Sequence, residues 1–194
     1  GDGGILVAAQ DGQSVLKLDP QTGSVGVLHQ VASGRHHDES GSIRGVAADA
    51  HGCAYVSDKH ANAVHMYCGP RLQRRIGRLH IERPIAVVVA GDTLVVGSLG
   101  GGERQPSVLT FALRPEGETR DPAPQLRLRI EHPRLQHPAG MCVYRKRILV
   151  LEQVSKALLA FDIETGHYHD NLVSALPDTP EAFVLEDENG VLVQ

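Results

Sequence analysis

At 194 residues, 41% of them hydrophobic, the chain is long enough to bury a sizeable core as one domain. A net charge of −4 excludes a basic nucleic-acid footprint spread over the whole surface. Aromatic residues are only 4% with no Trp, which argues against carbohydrate- and base-stacking platforms, and no apolar run reaches the ~18 residues of a membrane-spanning helix.

The predicted elements are short strands. The first runs over 4–9 and is followed by Val15-Leu16-Lys17-Leu18-Asp19 and the turn Asp19-Pro20-Gln21-Thr22-Gly23. Asp and Pro set such a turn and Gly takes its positive-φ position. The clearest unit comes next: Ile43 to Asp49, then Gly52-Cys53-Ala54-Tyr55-Val56-Ser57-Asp58, then Asn62-Ala63-Val64-His65-Met66-Tyr67. It reads as strand, Gly turn, strand ending in Asp, polar turn, strand. Strands starting at Pro84, Pro138 and Pro180 open further copies, Pro being tolerated where no ladder donor is needed. A second turn, Asp162-Ile163-Glu164-Thr165-Gly166, nearly repeats the one at Asp19.

Aligned on the second strand, Leu6-Val7 matches Tyr55-Val56, Val95-Val96, Leu149-Val150 and Leu192-Val193, so the phrase returns every 40 to 54 residues. Four short strands in a repeat of about 45 residues is the spacing of a β-propeller blade; a sandwich is the alternative for many short strands. No segment carries a sustained helical period with caps. The expectation is an all-β propeller of four-stranded antiparallel blades. The blades fall at 4–42, 43–83, 84–137 and 138–179, with a partial repeat at 180–194. Four blade equivalents plus an overlap suggest a portion of a larger, six-bladed-type propeller. A compact propeller whose terminal strands share one blade is the other reading. A portion would leave sheet edges open to self-association.

The second repeat resembles the NHL repeat family, through Arg44-Gly45-Val46-Ala47-Ala48-Asp49, Gly52-Cys53-Ala54-Tyr55-Val56-Ser57-Asp58 and Asn62-Ala63-Val64-His65-Met66-Tyr67. The other copies are looser and resemble six-bladed propellers of the NHL and lactonase type. The resemblance implies the fold and leaves activity open, because one superfold hosts many functions.

Three cysteines are present. With 59–62 as the turn, Asp58 faces Ala63 and Cys53 falls opposite Cys68. Their cross-strand separation of about 4.5–5.5 Å permits a disulfide. A bonded pair would imply an oxidising compartment; two small buried thiols is the favoured reading. Cys142, inside a first strand, reads as core. The sequence leaves the compartment open.

Propellers bind on the face that carries the first-strand entries and the loops from second to third strand. Here the entries offer Arg44, Arg83, His137 and Glu181. The loops offer Gln10-Asp11, Asp58-Lys59-His60, Ser98 and Glu152-Gln153. The expected ligand-binding residues are Arg44, Asp58, His60, Arg83, His137 and Glu152. No cofactor is expected, and calcium or zinc is the ion considered.

A non-catalytic binding or scaffold module for a protein, peptide or small ligand is the leading reading. The runner-up is a metal-dependent hydrolase. The lactonase-like resemblance implies a Glu, an Asn and an Asp on one divalent ion that polarises an ester carbonyl. Glu181 and Asp58 match two of these, and Asn62 and Asn171 lie in turn-like or outer-strand places. An amidating-lyase-like zinc site would need His at several entries, where only His137 stands. His36-His37-Asp38-Glu39 carries metal-ligand chemistry, but Gly34, Ser40, Gly41 and Ser42 around it read as a solvated loop. His132 reads as a turn residue, His65 as structural, and His167 and His169 as one face of an outer strand.

Overall fold

The computed structural model describes residues 4–9, 13–30, 42–114, 123–180, 183, 185–186 and 192–193. Among them the structure is all-β, with no helix. The first sheet is β1 (Ile5–Ala8), β2 (Ser14–Leu18) and β3 (Val25–Gln30). Three four-stranded antiparallel meanders follow in chain order. They are β4 (Ile43–Ala48), β5 (Cys53–Asp58), β6 (Ala63–Cys68), β7 (Arg71–Ile76); β8 (Pro84–Ala90), β9 (Thr93–Ser98), β10 (Ser107–Ala112), β11 (Gln125–Ile130); and β12 (Pro138–Tyr144), β13 (Arg147–Glu152), β14 (Ala157–Asp162), β15 (Tyr168–Val173). A two-stranded pair closes the list, β16 (Leu185–Glu186) with β17 (Leu192–Val193).

These sheets are propeller blades. Their first strands lie side by side, β8 between β4 and β12. The second strands are buried almost throughout because each is covered on both faces by neighbouring blades. That is why they read as continuous apolar runs rather than alternating ones. The outermost strands β7, β11 and β15 are largely exposed and carry the Arg and His runs that protect a sheet edge.

Each seam between blades is an apolar cluster. Val15, Ile43, Ala54, Val56 and Tyr67 fill the first seam. Tyr55, Val64, Leu94, Leu109 and Phe111 fill the second, and Val95, Val108, Ile148, Val150, Leu159 and Phe161 the third. A fully buried side chain of this size contributes roughly 1.5–3 kcal/mol. Beyond the outer blades the pattern continues into solvent: Ile5 and Val7, alternating with Leu6 and Ala8, are 48% and 42% exposed.

The repeated phrase has a physical reading at each position. Asp49 Oδ1 accepts the amides of His51 and Cys53, both at 2.9 Å, and its Oδ2 accepts the Tyr55 hydroxyl at 3.0 Å. A Cβ on Gly45 would stand 3.0 Å from the carbonyl oxygen of Ile85 and 3.1 Å from the amide nitrogen of Val87. Only Gly lets β4 approach the β8 backbone so closely. The twin turns behave alike: Asp19 accepts the amide of Gln21 at 2.8 Å and Asp162 that of Glu164 at 2.9 Å. Gly23 and Gly166 take φ of 70° and 72°.

Two expectations change. Cys53 and Cys68 are paired in register, with Cα atoms 4.3 Å apart, and form a disulfide rather than two thiols. A directly opposed cross-strand pair brings the two sulfur atoms within bonding reach. Of the strand expected from Pro180, Pro180 and Phe183 lie in no strand and Leu185–Glu186 lie in one, while 181, 182 and 184 lie outside the described residues. Gln10-Asp11, His36-His37-Asp38-Glu39 and Glu181 lie outside the described residues. No helix among the described residues is long and apolar enough to cross a membrane.

Candidate functional site

The end of each second strand sits against the entry of the first strand: Ile43 pairs with Asp58, Pro84 with Ser98 and Pro138 with Glu152. The next amide then returns to the residue before the first strand. Lys59 donates to the Ser42 carbonyl at 2.8 Å, Leu99 to that of Arg83 at 3.1 Å and Gln153 to that of His137 at 3.1 Å. Each first strand has a register shift just inside this entry. Such bulges re-aim side chains.

The second-strand termini hold this mouth together. Glu152 is fully buried. Its Oε1 accepts the amides of Gln136 and His137, and its Oε2 accepts the amide and hydroxyl of Ser155 at 2.6 and 2.8 Å. Ser98 Oγ donates to the Glu82 carbonyl and accepts the Gly100 amide at 3.3 Å. Asp58 Oδ1 accepts the Ser42 hydroxyl and the amides of His60 and Ala61, the last two at 3.1 and 2.9 Å. In all three blades the polar residue at this position binds the backbone of its own loop.

Arg44 and Arg83 are exposed and His137 is half-buried. Burial pushes the His137 imidazole below its usual range. Glu152 opposes that shift, while the Arg44 and Arg83 guanidinium charges both add to it. Arg44, Arg83 and His137 stand at the first-strand entries of successive blades, whereas Asp58 and Glu152 serve the loops. His60 binds the site through its amide, which also faces Ser42 Oγ at 3.3 Å.

A second cluster lies in the first seam. His65 follows Ala63 and precedes Tyr67 on the β6 face turned to the first sheet, and His29 comes from β3. One ligand atom each of His29, Asp58 and His65 lies within 4.8 Å of the others. His65 Nε2 stands 3.9 Å from Asp58 Oδ2. Burial pushes the His65 imidazole down to about 4, against the pull of Asp58 and with smaller lowering from His29 and Arg75. Burial also lowers His29, whose Nδ1 shares a hydrogen bond with the Tyr67 hydroxyl.

Sequence reasoning missed His29, which belonged to no recognised strand copy. The available signal was His65 itself, a polar residue on the apolar face of a buried strand. His132 stacks on Tyr168 with ring centroids 4.3 Å apart, and His167 meets His169 edge-on at 5.7 Å on the exposed β15 flank. A cleft of about 400 Å³ opens at the other end of the first seam, among Leu6, Lys17, Val27, Asp49, Ala54 and Tyr67.

These features define a β-propeller. No protein-family model matches the chain, and no curated protein matches it in sequence. Solved structures of the same fold do. Kuenenia stuttgartiensis hydrazine synthase is 17% identical with a TM-score of 0.67 over 97% of this chain and 51% of that one. A protein of unknown function from Bacteroides caccae is 14% identical, TM-score 0.65, over 95% and 62%. Virginiamycin B lyase from Staphylococcus aureus is 10% identical, TM-score 0.61, over 98% and 62%. The chain thus spans about half to three fifths of the length of these structures, and the likeness is one of fold.

Proposed function

We propose that this chain is a non-catalytic binding propeller of NHL type whose channel mouth takes an anionic group, a carboxylate or phosphate, of a protein, peptide or small ligand. The observation that carries the reading is the placement of Arg44, Arg83 and His137 at the first-strand entries of three successive blades, whose first strands lie side by side. Two guanidinium groups and an imidazole around one opening supply donors that suit an anion's oxygens. Glu152 accepts four hydrogen bonds from neighbouring loops and Asp58 Oδ1 caps the β5–β6 turn, so at this mouth both serve the backbone; Glu181, the other carboxylate of the hydrolase reading, lies outside the described residues. The NHL reading is supported by the work that Gly45, Asp49 and Tyr55 do in the second blade.

The test is calorimetric titration of the purified chain with citrate and with inorganic phosphate at low ionic strength. Saturable binding that weakens with salt is expected. It should be lost in the Arg44→Gln/Arg83→Gln double variant and kept in Arg127→Gln, on the outer strand β11. Binding that survives the double variant, or that Arg127→Gln removes, would overturn the assignment.

A further inference from the structure

We infer that His29, Asp58 and His65 form a binding site for a divalent transition-metal ion of the zinc class, bridging the first sheet and the second blade. The site stands apart from the channel mouth and does not depend on the anion-binding reading.

The first argument is the state of the histidines. His65 is only 4% exposed, and neither of its ring nitrogens has a hydrogen-bond partner. His29 Nε2 is likewise buried without one. Buried polar side chains are nearly always satisfied, and each one left over costs about 1–3 kcal/mol. These nitrogens belong to two rings in one seam beside a carboxylate, and an ion that takes one nitrogen from each ring would replace two of the three missing bonds.

The second argument is the donor set. Two imidazoles and a carboxylate suit zinc and its neighbours, and are too nitrogen-rich for calcium or magnesium. A tetrahedral zinc with ligands near 2.0–2.1 Å holds its donor atoms about 3.3 Å apart. The observed spread, within 4.8 Å overall and 3.9 Å between His65 Nε2 and Asp58 Oδ2, closes to that if side-chain rotations draw the atoms together by up to about 1.5 Å. A water completes the coordination.

The third argument is orientation. Metal-bound His usually donates its other N–H to a fixed acceptor, and metal-bound carboxylates are themselves held by hydrogen bonds. Tyr67 Oη sits on His29 Nδ1; in the tautomer whose Nδ1–H donates to that oxygen, the lone pair is on Nε2, which has no other partner. Asp58 Oδ1 is pinned by Ser42, His60 and Ala61 while Oδ2 faces His65. The ligands come from β3, β5 and β6, so the ion would staple the outer strand of one sheet to its neighbour and raise the stability of that seam.

The experiment strips the purified chain with EDTA and titrates it with Zn²⁺ against a chromophoric chelator, with Co²⁺ absorption as a report on geometry. One ion per chain is expected, with the ligand-field bands of a four-coordinate nitrogen–oxygen site and a higher melting temperature. His65→Leu, which fills the seam, should weaken zinc by more than about tenfold. Tyr67→Phe, which keeps the packed ring, should weaken it by about 10–100-fold. His167→Ala/His169→Ala, on the exposed flank, should change nothing. No stoichiometric binding by the wild-type chain would overturn the site. So would affinity untouched by both His65→Leu and Tyr67→Phe, or affinity lost with the His167/His169 pair.

Discussion

The side-chain carbonyl of Asn62 accepts the backbone N–H of Arg83 at 2.9 Å, tying the β5–β6 turn of the second blade to the entry of the third. Both residues adopt the left-handed conformation, each at φ 51°. Asn tolerates that region better than other non-Gly residues and brings an acceptor with it. The bond therefore sets where Arg83 leaves the turn and meets the channel mouth.

Asn62→Ala should lose this bond and strain the turn, at a combined cost of about 2 kcal/mol. Asn62→Gly removes the bond alone and should cost less. Urea denaturation midpoints of the three proteins check the order. Equal midpoints for Ala and wild type would refute the role assigned to Asn62.

The Cys53–Cys68 disulfide joins residues 15 apart across the β5–β6 hairpin. Reduction, or Cys53→Ser, should destabilise the protein by up to about 3 kcal/mol on the loop-entropy argument. Cys142 is buried, and burial pushes its thiol up to about 11. An aromatic disulfide reagent should thus find no thiol in the native protein, one after denaturation, and three only when denatured and reduced. A native, unreduced count above zero contradicts this arrangement.

Glu152 is a buried carboxylate with four donors converging on it. Glu152→Ala would leave those donors facing a void, and should cost more than about 3 kcal/mol. Glu152→Gln keeps the shape but swaps one acceptor for a donor, so it should fall between alanine and wild type. Thermal melts of the three proteins separate the cases, and an alanine variant as stable as wild type would make the network irrelevant.

Much of the architecture was legible because the repeat is local. Strands β5, β6, β9, β13 and β14 announce themselves through apolar runs bounded by Asp and Gly turns, and hairpin arithmetic alone placed Cys53 opposite Cys68. The bonded state of that pair was not legible, since register says which atoms meet and nothing of their oxidation. Pro180 itself lies in no strand for a related reason: Pro permits a strand start there but does not require one.

The functional residues divide along the same line. Entry positions such as Arg83 and His137 follow from the repeat, because each sits a constant step from a second strand. Their roles do not follow. Asp58 and Glu152 looked like channel carboxylates in sequence, and only the folded chain shows them accepting amides of their own loops. Sequence by itself determined the strand order, the turns and the blade spacing, all governed by interactions a few residues apart. Tertiary structure decided what the polar side chains meet. His29 and His65 are separated by more than thirty residues and belong to different sheets, and only blade packing brings their rings to 5.1 Å beside Asp58. Contacts of that kind depend on how two faces settle together, and no local pattern encodes them.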